Sequence, residues 1–135
     1  MSAGDPWPEE SHEVEVRLPA DRNYVAALRA FVTALAARSD LTIDEVEDLQ
    51  IAVDEACALV LPHARQPGGQ LTAHIELAMP SIEVVVSVPS GPEAIPDRTG
   101  FSWTVLSAVA DEMHVTSGGG TLAIRFSKRR DSLFR

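Results

Sequence analysis

Cysteine is almost missing: Cys57 stands alone, which excludes an intramolecular disulfide framework and fits a reducing compartment. Its apolar surroundings suit a small buried hydrophobe better than a reactive thiol. Positive charge is also scarce. Eleven Lys and Arg face twenty Asp and Glu, for a formal net charge of −9, and so few cations argue against direct binding of DNA or RNA phosphates. That charge favours solubility and electrostatic steering towards a basic protein partner. No apolar run approaches the roughly 20 residues of a membrane span. The opening "MSAGDPWPEESHE" lacks the basic and apolar regions of a secretion signal, so a cytoplasmic location is expected. Internal repeats and low-complexity tracts are lacking, and no Cys or His cluster offers a metal site.

What is present is enough for one core. The 135 residues are 45% hydrophobic and 23% charged, ordinary values for a single globular domain. Residues 1–11 read as a flexible tail, 12–128 as the domain and 129–135 as a basic, frayed tail. "HEVEVRLPA" alternates Val14, Val16 and Leu18 with Glu13, Glu15 and Arg17, the pattern of a half-buried strand stopped by Pro19. Val25, Leu28, Val32 and Leu35 then recur at helical spacing, with Asp21 placed to cap. A second helix opens at Thr42 with Glu45 three residues on, a capping-box signature. Val46, Leu49, Val53, Ala56 and Val60 form its apolar stripe, and Pro62 should end or kink it.

That second helix is unusual. From Ile51 to Leu61 its polar side chains are Asp54 and Glu55, side by side, so nearly every face must be covered or be an interface. Beyond it, "QLTAHIELAM" and "SIEVVVSV" alternate as an antiparallel hairpin, with Leu71, Ala73, Ile75 and Leu77 inward. "PSGPEAIPDRTG" is a loop of about a dozen residues, a length that suggests function or disorder. "FSWTVLSAVADEM" has helical spacing. "HVTSGGGTLAIRFSK" reads as strand, glycine turn and strand, with "SGGG" (Ser117–Gly120) a hairpin turn rather than a phosphate cradle, since a strand follows. The order β-α-α-β-β-α-β-β predicts an α+β fold with helices packed on one face of a mainly antiparallel sheet.

"DLQIAVDEACALVLPHA" resembles the first conserved box of the anti-sigma factor serine-protein kinases, in the histidine kinase/Hsp90-like (GHKL) ATPase superfamily. There the box reads approximately "EAxxNAxxHA", and Glu55, Ala56, Cys57, His63 and Ala64 match in type and spacing. "GFSWTVLSAVADEMHV" before "GGGTLAIRFSK" is similar to the C-terminal helix, turn and strand, and "FSWxVLxAxADE" resembles the divergent anti-sigma-F branch of actinobacteria. Together the matches span most of residues 12–128.

The resemblance implies a nucleotide pocket lined by Ala52, Glu55, Leu59, Gly91 and Gly100, with Glu55 as the catalytic base, active or vestigial. The sequence departs from the pattern there. Leu59 replaces the asparagine that usually ligates Mg²⁺, and a leucine offers no oxygen. "PSGPE" stands in place of the Asp-x-Gly-x-Gly turn, and the second glycine box is reduced to Gly100 followed by Phe101 and Trp103. Because phosphoryl transfer rests on positioning and charge neutralisation, ATP and Mg²⁺ are doubtful cofactors here, and no other is expected.

The resemblance therefore implies an anti-sigma factor that sequesters a sigma factor and is released by an anti-anti-sigma (STAS-domain) protein. Arg29 and, less directly, Arg22 occupy the neighbourhood that meets sigma, and Phe101 and Trp103 could anchor a partner if exposed. A homodimer is also expected, joined through the outer face of the second helix or a sheet edge. Two rival readings are an active serine-protein kinase using Glu55, and a small-molecule sensor built on the altered pocket.

Overall fold

The computed structural model describes residues 11–131. Residues 1–10 of the expected flexible tail 1–11, and residues 132–135, lie outside the described residues. In chain order the elements are β1 (His12–Pro19), α1 (Val25–Ala36), α2 (Ile43–Val60), β2 (Gln70–Ala78), β3 (Ser81–Pro89), α3 (Phe101–Val109), β4 (Glu112–Gly118) and β5 (Thr121–Arg129). Five strands form one antiparallel sheet in the order β1-β2-β3-β5-β4. The three helices cover one face. α2 lies between α1 and α3 and packs over β5 and β3. None of the described helices is long and apolar enough to cross a membrane.

Strict alternation builds the sheet's inner face. Leu71, Ala73, Ile75 and Leu77 from β2, Ile82, Val84, Val86 and Val88 from β3, and Leu122, Ile124 and Phe126 from β5 are all buried. A one-residue slip would turn this whole set to solvent, so burial fixes the register. Leu28, Val32 and Ala36 of α1 and Leu49, Val53, Ala56 and Val60 of α2 close the core from above. Each fully buried Leu, Ile or Phe contributes about 1.5–3 kcal/mol, so this layer outweighs any surface ion pair in the molecule.

The helix ends follow local chemistry. Thr42 Oγ1 accepts from Glu45 N at 3.1 Å, and Glu45 Oε1 accepts from Thr42 N at 2.8 Å, a complete capping box. α2 stops at Val60, and Leu61–His63, with Pro62, tighten into a 3₁₀ turn. Asp21 caps a 3₁₀ turn, Arg22–Tyr24, that leads into α1, and accepts from Asn23 N at 2.8 Å. Gly118, Gly119 and Gly120 all take positive φ in the β4–β5 turn, which only glycine enters without a Cβ penalty.

Two expectations need correction. α3 ends at Val109, not near Met113, because β4 begins at Glu112 and Asp111 N donates to Ser127 O at 3.0 Å. Strand pairing claims residues whose helical spacing alone would have kept them in the helix. At the C-terminus, Arg129 ends β5 rather than fraying. Arg130 Nη1 donates to Asp40 Oδ2 at 3.0 Å, and Asp131 N donates to Glu45 Oε2 at 2.6 Å.

Candidate functional site

Asp54 and Glu55 are neighbours on α2, and a helix turns about 100° between them. Asp54 points towards α1. Arg29 Nη1 donates to its Oδ1 at 3.0 Å and to its Oδ2 at 2.8 Å. Glu55 is half-buried, and its carboxylate makes no hydrogen bond or ion pair among the described residues. The sequence shows the adjacency but not which helix each residue would meet.

Ala52 and Leu59 flank Glu55 at one turn's spacing and are 2% and 5% exposed. Both are closed over by the core. Cys57, on the sheet side, is fully buried, and burial, helped by the Asp54 charge, pushes its thiol up to about 12. A thiol held that high is no nucleophile at neutral pH.

The chemistry of this donor set does not fit a metal-bound triphosphate. Leu59 is an apolar, buried side chain where an oxygen ligand is needed. The chain's single asparagine, Asn23, lies in the turn before α1. After β3 the sequence Pro89-Ser90-Gly91 supplies no carboxylate for an adenine amino group. Ser90 is fully buried and its hydroxyl donates to Gly91 O at 3.1 Å. Gly91 is exposed, with open space where a Cβ would go.

The loop from Ser90 to Gly100 is tied down at both ends. Arg65 Nη2 donates to Ser90 O at 2.7 Å, Ser90 N to Gly120 O at 2.8 Å, and Ser117 Oγ to Ala94 O at 2.7 Å. Asp97 Oδ1 accepts from Thr99 N at 2.9 Å and from Thr99 Oγ1 at 2.7 Å, which holds the Asp97 carboxyl below its usual range. A Cβ on Gly100 would lie 2.8 Å from Asp97 Oδ2, so a larger residue at this cap of α3 would have to displace the Asp97 carboxylate. The loop presents Ile95, 65% exposed, and leads into Phe101, the first residue of α3, which is 76% exposed. Trp103 behaves differently: it packs against the core while Arg98 stacks on its ring at 5.0 Å from the centroid.

On the other side of α2 an open groove of about 750 Å³ runs between the α1 entry and the C-terminal end of α2. Val25, Ala26, Ala58, Leu61 and Pro62 give it apolar walls, and Asp21, Arg22, Arg29 and Asp54 give it two charges of each sign. Arg22 has no ion-pair partner among the described residues. The structure thus places Arg22 and Arg29 in one groove and puts Phe101 on α3, which packs against the other flank of α2.

Sequence reasoning overlooked Lys128. It is the chain's only lysine, and its side chain is 12% exposed. Its ammonium donates to Asp48 Oδ2 and to Val109 O, both at 3.1 Å, with Asp111 Oδ1 at 3.8 Å. The signal was there: Lys128 continues the inward alternation of Leu122, Ile124 and Phe126.

Comparison with known proteins agrees with this fold. A family model described as a histidine kinase-like ATPase domain matches residues 18–128. The serine-protein kinase RsbW of Halalkalibacterium halodurans is 35% identical over 74 residues, covering 55% of this chain and 46% of that protein. RsbW of Bacillus subtilis is 34% identical over 76 residues, covering 55% and 48%. The chain spans about half the length of these curated relatives. The crystal structure of the RsbU and RsbW domains of Rv1364c from Mycobacterium tuberculosis superposes with a TM-score of 0.66 at 15% identity, covering 87% of this chain and 32% of that one. That likeness is one of fold.

Proposed function

The chain belongs to the histidine kinase-like ATPase domain family, and from that premise we propose that it is an anti-sigma factor acting by capture rather than by phosphotransfer. It binds an alternative sigma factor in the cytoplasm, masks the surface that RNA polymerase needs, and yields it to a STAS-domain antagonist. Residues 12–128 are the working unit, acting as a homodimer. Arg29 and Arg22 meet the sigma factor, and exposed Phe101, backed by Trp103, supplies a second anchor for a protein partner.

The observation that carries this reading is the burial of Leu59, 5% exposed, one turn beyond Glu55. Mg²⁺ demands oxygen ligands in near-octahedral geometry, and a buried leucine removes one while filling the space it would occupy. The likeness to two serine-protein kinases named RsbW supports the choice of partners.

Competition tests it. A purified alternative sigma factor from the same genome, core RNA polymerase and increasing amounts of this chain are mixed without nucleotide. Size exclusion should show the sigma factor leaving core polymerase at near-stoichiometric chain. Undiminished holoenzyme at a large excess of chain, for every sigma factor tried, overturns the reading.

One observation favours a second reading, an active serine-protein kinase: Glu55 keeps a half-buried carboxylate with no partner among the described residues, as a general base would. Transfer of labelled phosphate from ATP to a STAS-domain protein, lost in Glu55→Ala, would select it.

A further inference from the structure

Arg29 is bound to Asp54 at one end only. Both short contacts use Nη1, at 3.0 and 2.8 Å, and Nε and Nη2 donate to no group among the described residues. A guanidinium presents five N–H donors in a planar fork, and its Nε–Nη2 edge matches a carboxylate bidentately. The side chain is 40% exposed and lines the groove between α1 and α2. Thr33 Oγ1 donates to Arg29 O at 2.7 Å and accepts from Gln50 Nε2 at 3.1 Å, so a second polar bridge holds α1 against α2 beside the pair.

We propose that Asp54 is a positioning residue: it clamps one corner of the Arg29 guanidinium and leaves the Nε–Nη2 edge to receive a carboxylate from an amphipathic segment of the partner, whose apolar side lies along Val25, Ala58 and Leu61. The occupant follows from charge and shape. The groove's walls are mostly apolar. Two acids line it as well, but Asp54 is engaged by Arg29 and Asp21 accepts from Asn23 N, so the donors left unsatisfied are the free edge of Arg29 and the side chain of Arg22, which has no ion-pair partner among the described residues. An acidic amphipathic segment satisfies both, whereas a basic one would face two arginines. A clamped arginine has already lost much of its rotamer freedom, so the partner meets a pre-formed fork at lower entropic cost. The adjacency of Asp54 and Glu55 then has a physical meaning, with one acid serving the groove and its neighbour turned about 100° away from it around α2.

This rests on the reading that the chain captures a sigma factor, so the test has two arms. In the first, ¹⁵N NMR follows Arg29 Nε in the free full chain. A distinct, ordered resonance in the wild type that becomes motionally averaged in Asp54→Asn supports the clamp; unchanged order in the variant overturns it. In the second, calorimetry measures the sigma factor identified by competition. Asp54→Asn should weaken binding about tenfold, the loss expected when a pre-organised charged contact must be ordered on binding. Asp54→Glu should restore most of that loss, and Asp54→Asn should cost nothing further in an Arg29→Ala background. Wild-type affinity in Asp54→Asn, or losses that add, overturn the positioning role while leaving sigma capture intact. A wild-type chain that binds no sigma factor sinks the functional reading instead, and the NMR arm still decides the clamp. Thermal unfolding of each variant shows that the fold persists.

Discussion

Glu45 is a charged residue that the fold has almost closed over, at 8% exposure. Burial alone would raise its carboxyl. The N–H groups of Thr42 and Asp131, the Thr42 side chain and the Lys128 charge outweigh that and hold it below its ordinary value of 4.5. The sign follows from linkage. A carboxylate whose pKa is depressed in the folded state contributes stability above its unfolded value, lost as pH falls through the folded one. Glu45→Gln should therefore be less stable than wild type at neutral pH, and the gap in melting temperature should narrow as the pH drops below about 4.5. A gap constant from pH 7 to pH 3 contradicts this. The capping box was legible in the sequence because Thr42 and Glu45 sit three apart before an apolar run. The Asp131 contact was not, because nothing local ties two residues so far apart in the chain. The same holds for Arg29 and Asp54, whose meeting depends on how α1 and α2 align.

At the scale of elements, α2 is the part the sequence described best. Its stripe, its cap and its end at Pro62 all arise from neighbours within a few residues. α3 was misjudged at its C-terminal end because spacing continues past Val109 while pairing with β5 does not allow the helix to continue. The join there is made by Lys128, which links the end of α3 to the first turns of α2 through Val109 O and Asp48. Hydrogen bonds from a charged donor contribute about 1.5–3 kcal/mol, discounted here because Asp48 and Asp111 are 39% and 44% exposed. Lys128→Met should cost about 2 kcal/mol in urea denaturation, with the slope unchanged. A variant as stable as wild type would mean that the ammonium does not hold these elements together.

Across the whole molecule, the alternation of the strands and the periods of the helices were sufficient to specify a one-faced antiparallel sheet under three helices. They did not specify the groove, since its walls come from two helices and the turns beside them. The nucleotide pocket was implied by the family resemblance. Glu55, Ala52 and Leu59 do share one side of α2, but Ala52 and Leu59 are sealed into the core. The loop that follows β3 lacks a carboxylate beside Gly91 and presents Ile95 to solvent, as the start of α3 presents Phe101. On the function proposed above, an ATPase architecture has given up the groups that hold Mg²⁺ and adenine while keeping helices that can hold a protein. Calorimetric titration of ATP into the full chain, with excess Mg²⁺ and again with a chelator, addresses this most directly. No saturable heat up to ~1 mM ATP in either buffer is the predicted result, a ligand too weak to matter; micromolar binding that appears only with Mg²⁺ would contradict the account.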